Sequence, residues 1–264
     1  MAQFIEETIQ SILNQDYANY ECIVMDGGSD DGTVDILKKY DGKITWVSEN
    51  DKGQSDAINK GLRRASGDIL AYINADDAYE KGCFQKVADH FEKNHSIKWL
   101  YGKCRIIDDK GKDIRKLITR YRNFWLKRYS YNRLLVLDFI AQPAVFWRRE
   151  LIEEIGLFDV NKHLSMEYEY WLKAGAKYTP AFIDDYLARF RIHPGAKGSL
   201  SMAPAARVVL EDSRRYAMVQ RKGYLMPLQY LNYFTVVATY SLLNLYSKSK
   251  DHVNKPNINQ DIKT

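Results

Sequence analysis

The sequence predicts an α/β fold, a mostly parallel sheet with helices on both faces, from three observations. Short apolar runs alternate with segments of helical periodicity through the first 80 residues, the pattern of strand–helix–strand units whose strands run parallel. Two of those runs end in acid-rich loops, Asp26-Gly27-Gly28-Ser29-Asp30-Asp31 and Asn74-Ala75-Asp76-Asp77, and such sheets bind ligands at the carboxyl ends of their strands. A length of 264 residues suits one large domain, or one domain with an appendage.

The elements follow in order. Phe4, Ile5, Ile9, Ile12 and Leu13 recur near helical spacing, so the chain opens on an amphipathic helix. The run 20–26 reads as a buried strand, 33–40 as a helix, 44–48 as a strand and 54–65 as a helix. Residues 68–73 form the next predicted strand. A hairpin is expected over 103–118 around Asp108-Asp109-Lys110-Gly111, a strand at 143–149, a turn at Gly156–Asp159 and a helix at 167–174. Two further short strands are expected in 177–193 and a basic helix over 200–222.

Composition narrows the function classes. Hydrophobic content of 45% and charge content of 28% exclude a wholly disordered chain. Cys22, Cys83 and Cys104 form no C-x-x-C pair, which argues against a disulfide scaffold and a zinc finger and for a reducing, cytosolic setting. The first residues lack a basic segment followed by an apolar one, so no secretory signal is read there.

The chemistry-bearing segments are three. In the first, the glycines of 26–33 allow close backbone approach and the helix that follows offers free N–H groups to an anion. A turn with a helix cap explains the same residues, and an EF-hand does not, because Asp31 stands at the invariant glycine position. In the second, the carboxyl and amide oxygens of 74–77 suit Mg²⁺ or Mn²⁺ shared with diphosphate oxygens, or simply a polar turn. In the third, Asp51–Gly61, Asp56, Asn59 and Lys60 gather within about one helical turn, where Asp56 equally complements the helix dipole.

Taken with QPAVFWRRELIEEIGLFD, MEYEYWLK and FRIHPGAKGS, these segments resemble family 2 glycosyltransferases of the GT-A fold over roughly residues 3–200. The resemblance implies an inverting enzyme that uses a nucleoside-diphosphate sugar. Asp26, Gly28, Asp56, Asn59, Asp76 and His193 then bind the donor; Asp76, Asn74 and His193 hold Mn²⁺ or Mg²⁺; Glu167 is the catalytic base; Gln142 and Trp171 face the acceptor. Asn74 stands where many relatives have aspartate, Glu167 where the family has aspartate, and Lys173 where it has arginine. The extra methylene of Glu167 shifts its carboxylate by about 1.5 Å, with Glu169 the alternative base. The resemblance also implies a strand ahead of the opening helix, so we expect a product that begins upstream of Met1 or a less stable, weakly active form.

The remainder is organised differently. Residues 114–137 carry seven Lys/Arg and no acid, interleaved with Tyr121, Phe124, Trp125, Tyr129 and Tyr131. That stretch reads as a solvated face or as a contact for anionic lipid or a lipid-diphosphate acceptor; no nucleic-acid motif accompanies it. Residues 223–247 are uncharged and tyrosine-rich, which suits an interfacial helix better than a membrane span. The expected organisation is a catalytic domain at 1–200, C-terminal helices at 201–250 that touch a membrane, and a disordered tail at 251–264. The expected function is transfer from a UDP-linked sugar to a glycan or lipid-linked acceptor in surface or capsular polysaccharide synthesis, peripheral at the cytoplasmic face of the membrane. The alternative is a catalytically inactive module that binds sugar nucleotides or scaffolds at a membrane.

Overall fold

The computed structural model describes residues 1–196 and 202–253. In chain order the elements are α1 (Ala2–Leu13), β1 (Ile23–Asp26), α2 (Thr33–Lys38), β2 (Thr45–Ser48), α3 (Gln54–Arg64), β3 (Ile69–Leu70), β4 (Ala78–Tyr79), α4 (Cys83–Lys93) and β5 (Trp99–Ile107). They continue with α5 (Lys116–Leu126), α6 (Tyr131–Leu134), β6 (Val145–Arg148), α7 (Arg149–Ile155), α8 (Met166–Lys177), β7 (Ala181–Arg191), α9 (Met202–Val219) and α10 (Met226–Val253).

The strands form two sheets. β1 and β2 pair in parallel over four positions. The second sheet has the order β3-β6-β5-β7-β4. Within it β5 and β7 run parallel over eight positions, while the three antiparallel pairings span two or three positions each. Most paired positions are therefore parallel, as expected, although the sheet is mixed. A cavity of about 850 Å³ separates the two sheets. Ile23, Val24 and Met25 of β1, Ile69 and Leu70 of β3, and Ile9 of α1 are among the residues that line it. Among the described residues β1 pairs only with β2 and β3 only with β6, so each keeps one unpaired edge beside this cavity.

The pleat sorts the core. Trp99 and Tyr101 of β5 point into one apolar cluster with Trp147, Tyr168 and Trp171, whereas Leu100 and Cys104 join the other with Val87, Phe91 and Leu187. Alternation of this kind is the period-2 geometry of a strand buried on both faces. A third cluster, Ile5, Ile9, Leu37 and Tyr40, seats α1 and α2 on the small sheet.

Several boundaries differ from the expectation: the strand expected at 68–73 is reduced to Ile69–Leu70. Residues 181–191 form one strand, not two, because a bulge near Gly102 and Lys103 absorbs the irregularity at Asp184-Asp185. The hairpin at 103–118 keeps its turn, with Asp108 accepting from the amides of Lys110 and Lys112, but its second arm is a single bridge before α5 begins. The C-terminal helix runs through 251–253, so that part of the predicted tail is helical. The rest of that tail, 254–264, and the boundary at 197–201 lie outside the described residues.

Candidate active site

The first expected donor-binding residues sit on the loop after β1. Asp26 closes the strand nearly buried, and its Oδ2 accepts hydrogen bonds from the Gly28 and Ser29 amides at 3.1 and 3.0 Å and from the Ser48 hydroxyl at 2.6 Å. Burial pushes its carboxyl up, but those hydrogen bonds outweigh it and hold the group below the usual carboxylate range. Gly28 has φ 83°, and a Cβ there would lie 2.7 Å from Asn50 Oδ1; one on Gly27 would lie 2.5 Å from Asp51 Oδ2. A side chain at either position would have to displace Asn50 or Asp51, and at Gly28 the positive φ itself favours glycine. Asp56, in the first turn of α3, accepts from the Lys52 amide at 3.1 Å and pairs with Lys60 at 3.6 Å. The amide hydrogen bond, with the nearby cation, lowers its pKa.

The next group is the loop 74–77. Asp76 Oδ2 and His193 Nε2 lie 3.1 Å apart. Two ligands in adjacent octahedral positions with bonds of about 2.1 Å sit about 3 Å apart, so this carboxylate–imidazole pair fits one divalent cation. A hard oxygen with one imidazole suits Mn²⁺ at least as well as Mg²⁺. Asn74 is oriented differently from the expectation: its Oδ1 accepts from Gln54 Nε2 at 2.7 Å and its Nδ2 faces Asp77 at 3.4 Å. A cation would take that amide oxygen only by displacing Gln54, which makes Asn74 the weakest of the three expected ligands. No group of three or more His, Cys, Asp or Glu side chains among the described residues is placed to hold a metal ion by itself.

Arg191 fixes this loop, a role not read from the sequence. Fully buried, it donates from its backbone N–H to Asp77 Oδ1 at 2.8 Å and from Nε to the Asp76 carbonyl at 2.8 Å. Its remaining nitrogens reach the Asp108 carbonyl and Glu7. Thr8 of α1 donates to the carbonyls of Ala75 and Asp77. Asp77, sealed beneath Asp76, has its pKa raised well above the carboxylate range by burial and by the neighbouring charge. It belongs to the scaffold.

The residues expected on the acceptor side lie around the start of α8. Glu167 occupies its first turn, directly after Met166, and Ser165 before them holds a left-handed backbone at φ 54°. A non-glycine residue there is strained, as is common beside functional groups. Tyr72 lies within electrostatic reach of both Glu167 and Asp77, which with burial push its hydroxyl well above its usual pKa. Gln142 donates to the Tyr72 carbonyl at 2.6 Å, and its buried Oε1 has no protein partner. Asp138 was not anticipated. Its Oδ1 is sealed from solvent with no hydrogen-bond partner. Burial pushes it up to about 7, with Arg122 opposing and Glu167 adding to the shift. The signal existed in the sequence: Asp138 is the lone acid in Leu134-Leu135-Val136-Leu137-Asp138-Phe139-Ile140.

Two expected site residues are corrected. Asn59 is 1% exposed and spends its amide on Phe158, donating to its carbonyl at 2.8 Å and accepting from its N–H at 3.0 Å. It clamps α3 to the loop ahead of α8, and at 1% exposure it is closed to a nucleotide. Trp171 is fully buried and stacks on Trp99 at 5.8 Å, because its place on α8 turns it into the core rather than toward an acceptor. Glu169, the alternative base, is 4% exposed and faces Arg215 at 2.6 Å, with Lys162 and Lys173 each at 3.7 Å. So enclosed, its oxygens are closed to an acceptor hydroxyl. Lys173, at the position where arginine was expected, serves that ion cluster.

The comparisons agree with this architecture. The profile of glycosyl transferase family 2 matches residues 2–156, more than half of the chain, and the chain belongs to that family. An uncharacterized glycosyltransferase of Nostoc sp. is 25% identical over 258 residues, covering 89% of this chain and 72% of that protein. A PGL/p-HBAD biosynthesis glycosyltransferase of Mycobacterium bovis is 26% identical over 193 residues, covering 71% and 70%. Among solved structures, S. aureus TarS in complex with UDP-GlcNAc superposes with a TM-score of 0.60 at 18% identity, over 80% of this chain and 62% of that one. This chain thus spans less than two thirds of that structure. The mannosyltransferase PcManGT of Pyrobaculum calidifontis, in complex with GDP-Man and Mn²⁺, gives 0.62 at 17% identity, over 95% and 79%. The fold is the GT-A fold, and the chain is a glycosyltransferase.

Proposed function

We propose that this glycosyltransferase inverts the anomeric centre as it moves a sugar from a UDP-linked donor to a hydroxyl of a surface or capsular polysaccharide or a lipid-linked glycan. The reading places that acceptor at the cytoplasmic face of a membrane. One juxtaposition supports it: Asp26, Asn74 and Tyr72 line the same cavity, Tyr72 feels both Glu167 and Asp77, and Asp76 beside Asp77 lies 3.1 Å from His193. Asp26 and Asp56 hold the nucleoside, and the Gly27-Gly28 turn lets backbone N–H groups approach it. Asp76 and His193 hold Mn²⁺ or Mg²⁺, with Asn74 as a third, displaceable ligand. Bound there, the ion offsets the charge that grows on the departing diphosphate.

Glu167 takes the proton of the acceptor hydroxyl as its oxygen bonds to the anomeric carbon. The bond from that carbon to the diphosphate oxygen breaks on the opposite face, and the nucleoside diphosphate leaves. Gln142 offers its unpartnered Oε1 to a sugar hydroxyl on the acceptor side. The solved relatives named above contain UDP-GlcNAc in one case and GDP-Man with Mn²⁺ in the other, which supports a nucleotide-sugar donor without choosing the base. Nucleoside diphosphate release across UDP- and GDP-sugars, with Mn²⁺, Mg²⁺ or EDTA, tests the reading. We expect release with one donor class, abolished by EDTA. Tight donor binding with no release from any donor would favour the inactive binding module.

A further inference from the structure

Two helices outside the site expose apolar residues in register. On α5, Leu117, Tyr121 and Phe124 are exposed at spacings of four and three, and Leu117 is 79% accessible. Arg120 and Lys127 flank that stripe, and Arg128 lies 3.9 Å over the Phe124 ring. Lys127 pairs with Asp184 at 2.6 Å, whereas Arg120 has no ion pair among the described residues. On α10, Leu228, Leu231, Phe234 and Leu242 are exposed, Leu231 and Phe234 by 63% and 62%. At about 100° per residue these positions fall within an arc of about 120°. From Leu228 to Leu242 the stripe runs about 21 Å along the helix.

The opposite side of α10 is occupied. Gln229, buried, donates to the Leu135 carbonyl at 2.9 Å, Arg214 lies 5.2 Å over Tyr230, and Arg115 lies 6.0 Å over Tyr240. These contacts seat α10 on α6 and α9 and bring its middle against the start of α5. No helix among the described residues is long and apolar enough to cross a membrane. The stripe is therefore an exposed apolar surface that neither crosses a bilayer nor packs on its own domain.

We propose that the exposed faces of α5 and α10 together form a contact surface for an anionic lipid bilayer. Charge selects this occupant. Residues 114–137 hold seven Lys/Arg and no acid, and the uncharged run 223–247 is bounded by Arg221-Lys222 and Lys248. Apolar side chains with basic flanks are what an interfacial helix presents to anionic headgroups. A second copy pairing through the same stripe would need charges beside the seam to set its register, and that run has none. The surface deepens the reading of a membrane-presented acceptor and rests on it for its purpose, but binding is measured without turnover.

The test uses the full chain and flotation with vesicles of phosphatidylglycerol and phosphatidylcholine, or of phosphatidylcholine alone. We expect flotation with the anionic vesicles and little with neutral ones. The exposed double variant Leu231→Asp/Phe234→Asp is expected to lose at least tenfold in binding at unchanged melting temperature. Arg120→Glu should weaken binding several-fold, and Glu167→Gln should float as wild type even if turnover is lost. Wild-type protein left unbound by anionic vesicles would overturn the proposal. So would a double variant that folds and floats as well as wild type, or one whose sole change is from dimer to monomer by light scattering.

Discussion

Glu167 and Glu169 stand two residues apart in the first turn of one helix. Three cations enclose Glu169, so its carboxylate is a structural anchor between α8 and α9. Glu169→Gln leaves Arg215, Lys162 and Lys173 short of a partner; we expect a loss of about 1–3 kcal/mol in stability by denaturant unfolding, with the surviving folded enzyme turning over. Asp138 gives a pH signature. Its folded pKa, about 7, lies above the unfolded value, so between those two values the folded chain binds the extra proton. Stability from this group is complete below pH 4, falls as pH rises and is gone above about 7. Asp138→Asn, which cannot ionise, should therefore gain melting temperature over wild type at pH 8 and not at pH 4. Parallel melting curves across that range would remove Asp138 as a buried proton holder.

At the scale of elements, the site depends on how the 74–77 loop is held. Arg191 joins it to β7, and Thr8 joins it to α1. We expect Arg191→Leu to cost about 1–3 kcal/mol, since the part-buried Asp76 and Asp108 carbonyls and Glu7 lose their donor while the backbone N–H bond to Asp77 remains, and to weaken Mn²⁺-dependent donor affinity in calorimetry. Local periodicity made α1, β1, β2 and α3 legible, because apolar spacing is written in a few consecutive residues. The acid-bearing loops were legible too, since Asp26 ends a strand that the pattern already marked and Asp76 follows another in the next loop. What periodicity does not carry is the direction a polar or aromatic side chain takes once helices dock. Asn59 turned inward to Phe158, Trp171 stacked on Trp99, and Asp138 was carried into an apolar shell by the residues around it. Nor does it report long-range partners, so Gln54 on the Asn74 amide and Arg191 beneath Asp76 became visible only in three dimensions.

The whole molecule is two sheets, a cavity between them, and a helical flank. Filling the cavity is a stability question, because β1 and β3 both leave an edge unpaired beside it. An apolar segment of about six residues with strand propensity, joined ahead of Met1, should pair with both edges and raise the melting temperature by several degrees. It should also tighten donor binding, since Asp26 and Asn74 line the same cavity. No change in either would show that the two sheets are held well enough by α1 and α3. In the proposed reaction one chain holds a nucleotide sugar at Asp26 and Asp76 and moves the acceptor proton at Glu167. The most direct measurement compares wild type with Glu167→Gln for donor affinity and for nucleoside diphosphate release in the presence of acceptor. The account predicts nearly equal affinity and release slower by about 10²–10⁴-fold in the variant. Release at the wild-type rate from Glu167→Gln would contradict it.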